Sequence, residues 1–558
     1  MEKINIFFKK YIIFLVILFS IPAVRYFFVP GFFGVSDDLH VAWLHQMVKT
    51  LEMLQIPPRF VPNLSFNFGY PLFNFVYPLP FYIASIFSFL GFSLVDSIKL
   101  VFGLSIPFSI YAMYLLLNRF VNSYLSLLGG LIYVYAPYRA LEIFVRGTIG
   151  EIVAFAIFPL IILTTLKIFD NPKDNKNTAF NGLFIGLLIL SHNIMSYMFA
   201  PFLIVLILIK LFENKSKELK SYILSIFKFF ILGLSLSSYF WLPAIVESKL
   251  MKYDTVFNFY DHYPTLKQFI TPYWGYGASV PGPYDTMSFY LGFFQIALFL
   301  VSTVYFLLKF KKIDREVKTV FLWSLTVVFM SIFMMNHRSS FLWENLPLIG
   351  YFQFPWRFIA MLVLFIPLLI VLFKNLSIKK SLMALIVFAP LIVLFNYNYF
   401  KYSEYLGRND DYYINRYIPF PYASSEYLKT GEEYLRMPLS QKQRPTKNYP
   451  RAYTLDENVN IEINEINSLD AVIYTYSDKP FILNYSKYYF PGWQVKINGQ
   501  IVKATSGEPY AQITVNVPAG DNKIEVYYKE SPFRMIFNLV SFSALIYITW
   551  QIFSKKKQ

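Results

Sequence analysis

The sequence predicts an α-helical polytopic membrane protein of about 12 transmembrane helices, with a C-terminal extracytoplasmic β-sandwich domain and a final anchoring helix. Three observations predict it. The chain has 558 residues, 56% hydrophobic and only 15% charged, where soluble domains carry about a quarter charged residues. Apolar runs of about 20 residues recur, the length that crosses a bilayer core. Near the C-terminus the pattern switches to strand-like alternation.

The elements follow in chain order. Lys9 and Lys10 precede an apolar run without a small-residue cleavage site, so "IPAVRYFFVP" reads as a retained anchor rather than a removed signal. Spans are predicted at 11–29, 98–117, 121–138, 149–168, 178–191, 195–212, 222–242, 287–308, 318–335, 357–373, 381–397 and 533–553. Four basic segments, "KLFENKSKELK", "KFKKIDREVK", "KNLSIKK" and the terminal "SKKKQ", then share one side with the N-terminus. The positive-inside bias makes that side cytoplasmic. Both termini are therefore expected in the cytoplasm, with the protein multi-pass in the plasma membrane.

The run 77–92, "YPLPFYIASIFSFLGF", is not read as a crossing, because a span there would move every later basic loop outside. It is predicted to lie at the outer surface, as a helix starting after its prolines. Segment 178–212 is short for two crossings; with two, its "SHN" turn lies at or below the outer surface.

This divides the chain into a transmembrane domain at 1–397 with outer loops 30–97 and 243–286, an extracytoplasmic domain at 398–532, and a helix with a basic tail at 533–558. A β-sandwich is predicted within 465–530, from "AVIYTYS", "FILNYSKYYF", "WQVKINGQIVKAT", "AQITVNV" and "KIEVYYK". Asn498–Gly499 marks a hairpin turn. No internal repeat or low-complexity tract is present.

Much of the net charge of +16 is explained by orientation, and it does not point to nucleic acid. Absence of Cys excludes disulfides and thiolate metal sites, and five His argue against a His-based zinc site. No Walker loop, dinucleotide glycine pattern or nucleophile elbow occurs.

Ionisable residues gather at the predicted outer ends of spans: Arg25, Asp37, Asp38, His40, Arg139, Glu142, Arg146, Glu151, His192, Glu247, Arg338, Glu344 and Arg357. The arginines stand against the positive-inside bias, and a guanidinium fork suits phosphate. The set favours an anionic ligand over scattered snorkelling and ion pairing. Asp37 and Asp38 could act as a general base or hold a divalent cation (Mg or Mn). The same "SDD" ahead of "LHVAWLHQMVKTLEML" reads as a helix N-cap. His40 and His192 are candidate ligands or acid–base groups. "NFGYPLFNFVYPLP" suits a sugar or lipid groove, and equally an interfacial aromatic belt.

An acidic pair after the first span, a Pro/aromatic helix and a span ending in "LLLNRF" resemble the GT-C type integral-membrane glycosyltransferases. "FNFGYPLFNFVYPLPFY", "YAPYRALEIFVRGTIGEIVAFAIFPL", "LSHNIMSYMF", "SSYFWLPAIVE", "MSFYLGFFQIAL", "LPLIGYFQFPWRF" and "YYFPGWQVKINGQ" resemble the YfhO-type membrane proteins. They also resemble the related family labelled "6-pyruvoyl-tetrahydropterin synthase-related". The resemblance covers about 30–360 and resumes at 485–530. It implies a GT-C-like fold and transfer of a sugar from a polyprenyl-phosphate donor, entering from the lipid bilayer, to an extracytoplasmic acceptor: a cell-envelope glycan, lipid or protein. It implies Asp37, with Asp38, as base or metal contact, and Arg146, Glu151, His192, Arg357 and His40 near the donor phosphate or sugar. The pterin label implies a soluble zinc enzyme, for which the chain has no His cluster. A transporter or flippase of a lipid-linked or anionic sugar would use the same arginines without Asp37. A membrane scaffold would pair its outer charges and leave no cavity.

Overall fold

The computed structural model describes residues 8, 10–214, 218–252, 258–430 and 435–554. Lys9, residues 215–217 of one basic segment and residues 555–558 of the basic tail lie outside the described residues. Helices occupy all twelve segments where the sequence predicts spans. Nine of the described helices are long and apolar enough to cross a bilayer. The other three are Ile12–Val24, which continues as a 3-10 turn to Phe28, Ser123–Val134 and Asn175–Ser191.

The short helix Ser123–Val134 shows why length and burial trade against each other. Asn122 caps its start, accepting the Leu125 N–H at 3.3 Å, and the extended backbone of Ala136 before Pro137 ends the run. Twelve residues rise about 18 Å, and every one is buried in the bundle. Pro355–Phe373 and Ile149–Asp170 are also interior, 94% and 83% buried over their apolar windows. Phe293–Lys312, Ile378–Asn396 and Pro532–Phe553 are 22% buried and form the rim.

In the run 77–92 a helix forms at Leu79–Phe89. Its eleven residues rise about 16 Å, too little to cross. It starts earlier than predicted, with Pro80 inside its first turn, where a missing N–H leaves no bond unmade. Segment 178–212 forms two helices separated by His192 alone, which is extended at φ −167°.

Ion pairs show which turns share an end of the bundle. Arg119 reaches both Asp170 and Glu316, Arg315 lies 3.6 Å from Glu213, and Lys374 is 2.8 Å from Asp314. The basic segments 309–318 and 374–380 therefore lie at one end. Loop 30–97 and the C-terminal region meet at the other.

That C-terminal region is β-rich. One antiparallel sheet comprises β4 (Asn460–Glu465), β5 (Ala471–Ser477), β11 (Gly520–Tyr528), β7 (Trp493–Ile497) and β8 (Gln500–Val502), in that order. The second comprises β3 (Ala452–Tyr453), β6 (Phe481–Tyr488), β10 (Gln512–Val517) and β9 (Thr505–Gly507). β7 and β8 form the hairpin predicted at Asn498–Gly499, both of whose φ angles are positive. β3 and β4 precede the predicted sandwich. β4, "NIEINE", is a largely exposed edge strand whose inner face is carried by Ile461 and Ile463 alone, both only partly buried.

Three joints fix this region to the bundle. Asp410 accepts the N–H groups of Leu94 and Val95 at 2.8 and 2.9 Å, completing a helix N-terminus with a carboxylate. The buried Lys487 ammonium donates to the carbonyls of Pro62 and Asn67 at 2.7 and 2.6 Å. β1 (Phe32–Phe33) pairs with β2 (Tyr405–Arg408). Gly31 is required beside that pairing: its φ is +73°, and a Cβ would come within 2.6 Å of the Gly407 backbone.

Candidate active site

The site is organised by one π-helical turn, Glu142–Arg146, which ends at Gly147 with φ +75°. Both Gly147 and Thr148 donate to the Glu142 carbonyl at 2.9 Å. The Val145 and Arg146 carbonyls are left free to bind the turn before His40. Ser36 N–H donates to Val145 at 2.9 Å and Asp37 N–H to Arg146 at 2.8 Å. The acidic turn is thereby pinned beside Arg146.

This pinning overturns the N-cap reading. The helix starts at His40 with Leu39 at the cap position, and no side chain caps it. The aspartates supply backbone carbonyls instead, to His40 and Val41, both at 3.4 Å. Their carboxylates point elsewhere, and in different directions. Asp38 is buried and accepts a hydrogen bond from the Tyr417 hydroxyl, with Arg416 Nε 3.9 Å away. Burial raises its carboxyl above the usual range, against the opposing pull of Tyr417 and Arg416. Asp37 has no hydrogen bond or ion pair through its carboxylate among the described residues, and it lines a cavity of about 980 Å³.

Arg146 and Arg357 lie on the same cavity wall, with Trp356, Phe354 and Arg436. Arg146 is held by Glu142 at 2.6 Å and Glu151 at 3.1 Å, over the Trp356 ring at 4.8 Å. Arg357 donates to the Phe352 carbonyl at 3.0 Å and lies 3.7 Å from Glu151. Among the described residues its buried Nε has no hydrogen-bond partner, nor has Glu151 Oε2. Two arginines against two buried glutamates thus leave bonding capacity unused behind the cavity wall, which in a buried polar network calls for a water or a rearranged pairing.

Glu151 and His192 sit behind this wall. His192 accepts the Met195 N–H through Nδ1 at 3.2 Å, packs on Tyr77 at 4.8 Å and is 3.9 Å from Glu151. His40 is buried, its Nδ1 3.1 Å from the Gly147 carbonyl, and burial lowers its pKa. Other members of the charged set lie apart from the cavity. Glu247 pairs with Arg534 at 2.9 Å. Arg139 is buried over Phe155 at 4.2 Å and bonds Ser109. Arg25 bonds the Tyr397 carbonyl at 3.1 Å, and Arg338 and Glu344 are exposed. The set does not converge as one group.

Sequence reasoning missed Arg416, Tyr417 and Arg436, which no pattern marks. Trp356 lies within the quoted "FQFPWRF", where the spacing to Arg357 was the available signal. No group of three or more His, Cys, Asp or Glu that could hold a metal ion occurs among the described residues.

Comparison with known proteins gives one family. A model described as 6-pyruvoyl-tetrahydropterin synthase related domain, membrane protein, matches residues 73–403. Among solved structures, the oligosaccharyltransferase of Archaeoglobus fulgidus in the apo form is similar at a TM-score of 0.40 and 14% identity, over 70% of this chain. The match spans 56% of that protein's length. No curated protein matches the sequence.

Proposed function

This chain belongs to the 6-pyruvoyl-tetrahydropterin synthase related family of membrane proteins, and from that premise we propose that it is a membrane glycosyltransferase of the GT-C kind. It moves a sugar from a polyprenyl-phosphate donor to an acceptor outside the cytoplasm. The observation that carries this reading is a single cavity wall holding the unengaged Asp37 carboxylate beside the guanidinium groups of Arg146 and Arg357.

The chemistry needs two things, a base for the acceptor and positive charge for the leaving group. Asp37 takes the proton as the acceptor hydroxyl attacks the anomeric carbon. The bond from that carbon to the phosphate oxygen breaks with its electron pair. Arg357 and Arg146 receive the charge on the departing phosphate. A single displacement inverts the anomeric centre. Glu142 and Glu151 hold the arginines in place, and His192 and Tyr77 pack behind them. Among the described residues a divalent cation would find one free carboxylate at the cavity, Asp37, and would supply further positive charge for the phosphate.

The test is transfer of labelled sugar by membranes supplied with polyprenyl-phosphate donors and envelope acceptor. Asp37→Asn is expected to lose about 10²–10⁴ in rate with donor binding retained, the range for removal of a general base. Arg357→Ala is expected to raise the donor KM. Donor movement across the membrane that Asp37→Asn leaves unchanged would replace this reading with that of a flippase.

A further inference from the structure

The five-stranded sheet turns a polar, aromatic groove outward. Cross-strand pairs in an antiparallel sheet point to the same side. Tyr474 therefore stands between Glu462 and Lys523, and Tyr476 between Asn460 and Asp521. Both rings are open, 48% and 45% exposed, whereas Ile473 and Thr475 on the opposite face of the same strand are buried. Between these six side chains lies a depression of about 610 Å³. The Tyr476 hydroxyl donates to Asp478 at 2.8 Å, which fixes its ring.

Charge narrows the occupant. Lys523 is neutralised by Glu525 at 2.9 Å. Glu462 and Asp521 have no ion pair among the described residues. On a chain of net charge +16 this groove is locally acidic, so it repels an anionic polymer. Open aromatic faces beside carboxylate and amide oxygens match a polyhydroxyl chain: C–H groups lie on the negative ring faces, and hydroxyls donate to the acceptors.

β11 runs from Asp521 in the groove to Tyr528, which packs on Phe60 at 5.4 Å where the sandwich meets loop 30–97. Seven residues of strand cover about 24 Å. The groove thus lies about 24 Å along the strand from the contact with loop 30–97.

We propose that this groove binds a segment of an uncharged polysaccharide. Naming that polysaccharide as the acceptor rests on the transferase reading; its binding does not. The experiment titrates neutral gluco-, manno- and galacto-oligosaccharides, with oligogalacturonate as the anionic probe, into the full-length protein in detergent, read by saturation-transfer NMR. A neutral oligomer is expected to bind, to weaken at least about tenfold in Tyr474→Ala/Tyr476→Ala, and to bind normally in Tyr474→Phe. Asp37→Asn should bind it as the wild type does, which separates this site from the cavity. Failure of every neutral oligomer, equal binding of oligogalacturonate, or retention in the double alanine variant would overturn the proposal. In the transfer assay the double variant should raise acceptor KM and leave kcat. A chain that binds the oligomer yet transfers nothing would leave the groove standing and remove the transferase reading.

Discussion

Asp37 and Asp38 are adjacent in sequence and unlike in surroundings. One faces a cavity without a partner among the described residues; the other is buried against Tyr417 and Arg416. Their difference has a pH consequence. Burial raises the folded pKa of Asp38, so between the unfolded value of about 3.9 and that raised value the folded chain holds a proton the unfolded chain has released. Stability from this group is therefore greatest at low pH and is lost as pH rises through the folded value. Asp38→Asn should remove that slope from melting temperatures measured in detergent between pH 4 and 7, while keeping sugar transfer. A slope that persists unchanged would assign it to other groups. Sequence could flag the pair, because two acids at the end of a span are costly there. It could not separate them, because Tyr417 is 379 residues away from Asp38.

At the scale of elements, the site depends on contacts between segments remote in sequence. Asp410 closes the N-terminus of Leu94–Leu117 and so seats the helix Asp410–Tyr417, which carries both partners of Asp38. Asp410→Ala should cost about 1–2 kcal/mol, the loss of a charged cap, and should expose the 410–430 segment to limited proteolysis. An unchanged melting temperature with unchanged cleavage would show that the β-rich region holds that helix without the cap. The hairpin at Asn498–Gly499 was legible because a two-residue turn requires positive φ. The π-helical turn at Glu142–Arg146 was not, since its residues fit an α-helix equally well.

For the whole molecule, the ion-paired turns gather the basic segments at one end and leave the cavity at the other. The positive-inside bias then predicts opposite exposure of the two ends. The chain has no Cys, so single cysteines can report it cleanly. Cys at Lys379 should react with an impermeant maleimide only after the cells are opened, and Cys at Tyr476 in intact cells. The reverse pattern would invert the protein and place the cavity in the cytoplasm.

The sequence by itself determined that the chain is a helical membrane protein with a β-rich C-terminal region, because the lengths of apolar runs and the period of alternation are local properties. It also marked Asp37, Arg146 and Arg357, because a charge beside hydrocarbon is conspicuous wherever it folds. Only the tertiary structure decided which charges share a cavity and which are paired away. That follows from partners such as Glu247 with Arg534, or Asp38 with Tyr417, meeting through packing across hundreds of residues, a relation that no local pattern encodes.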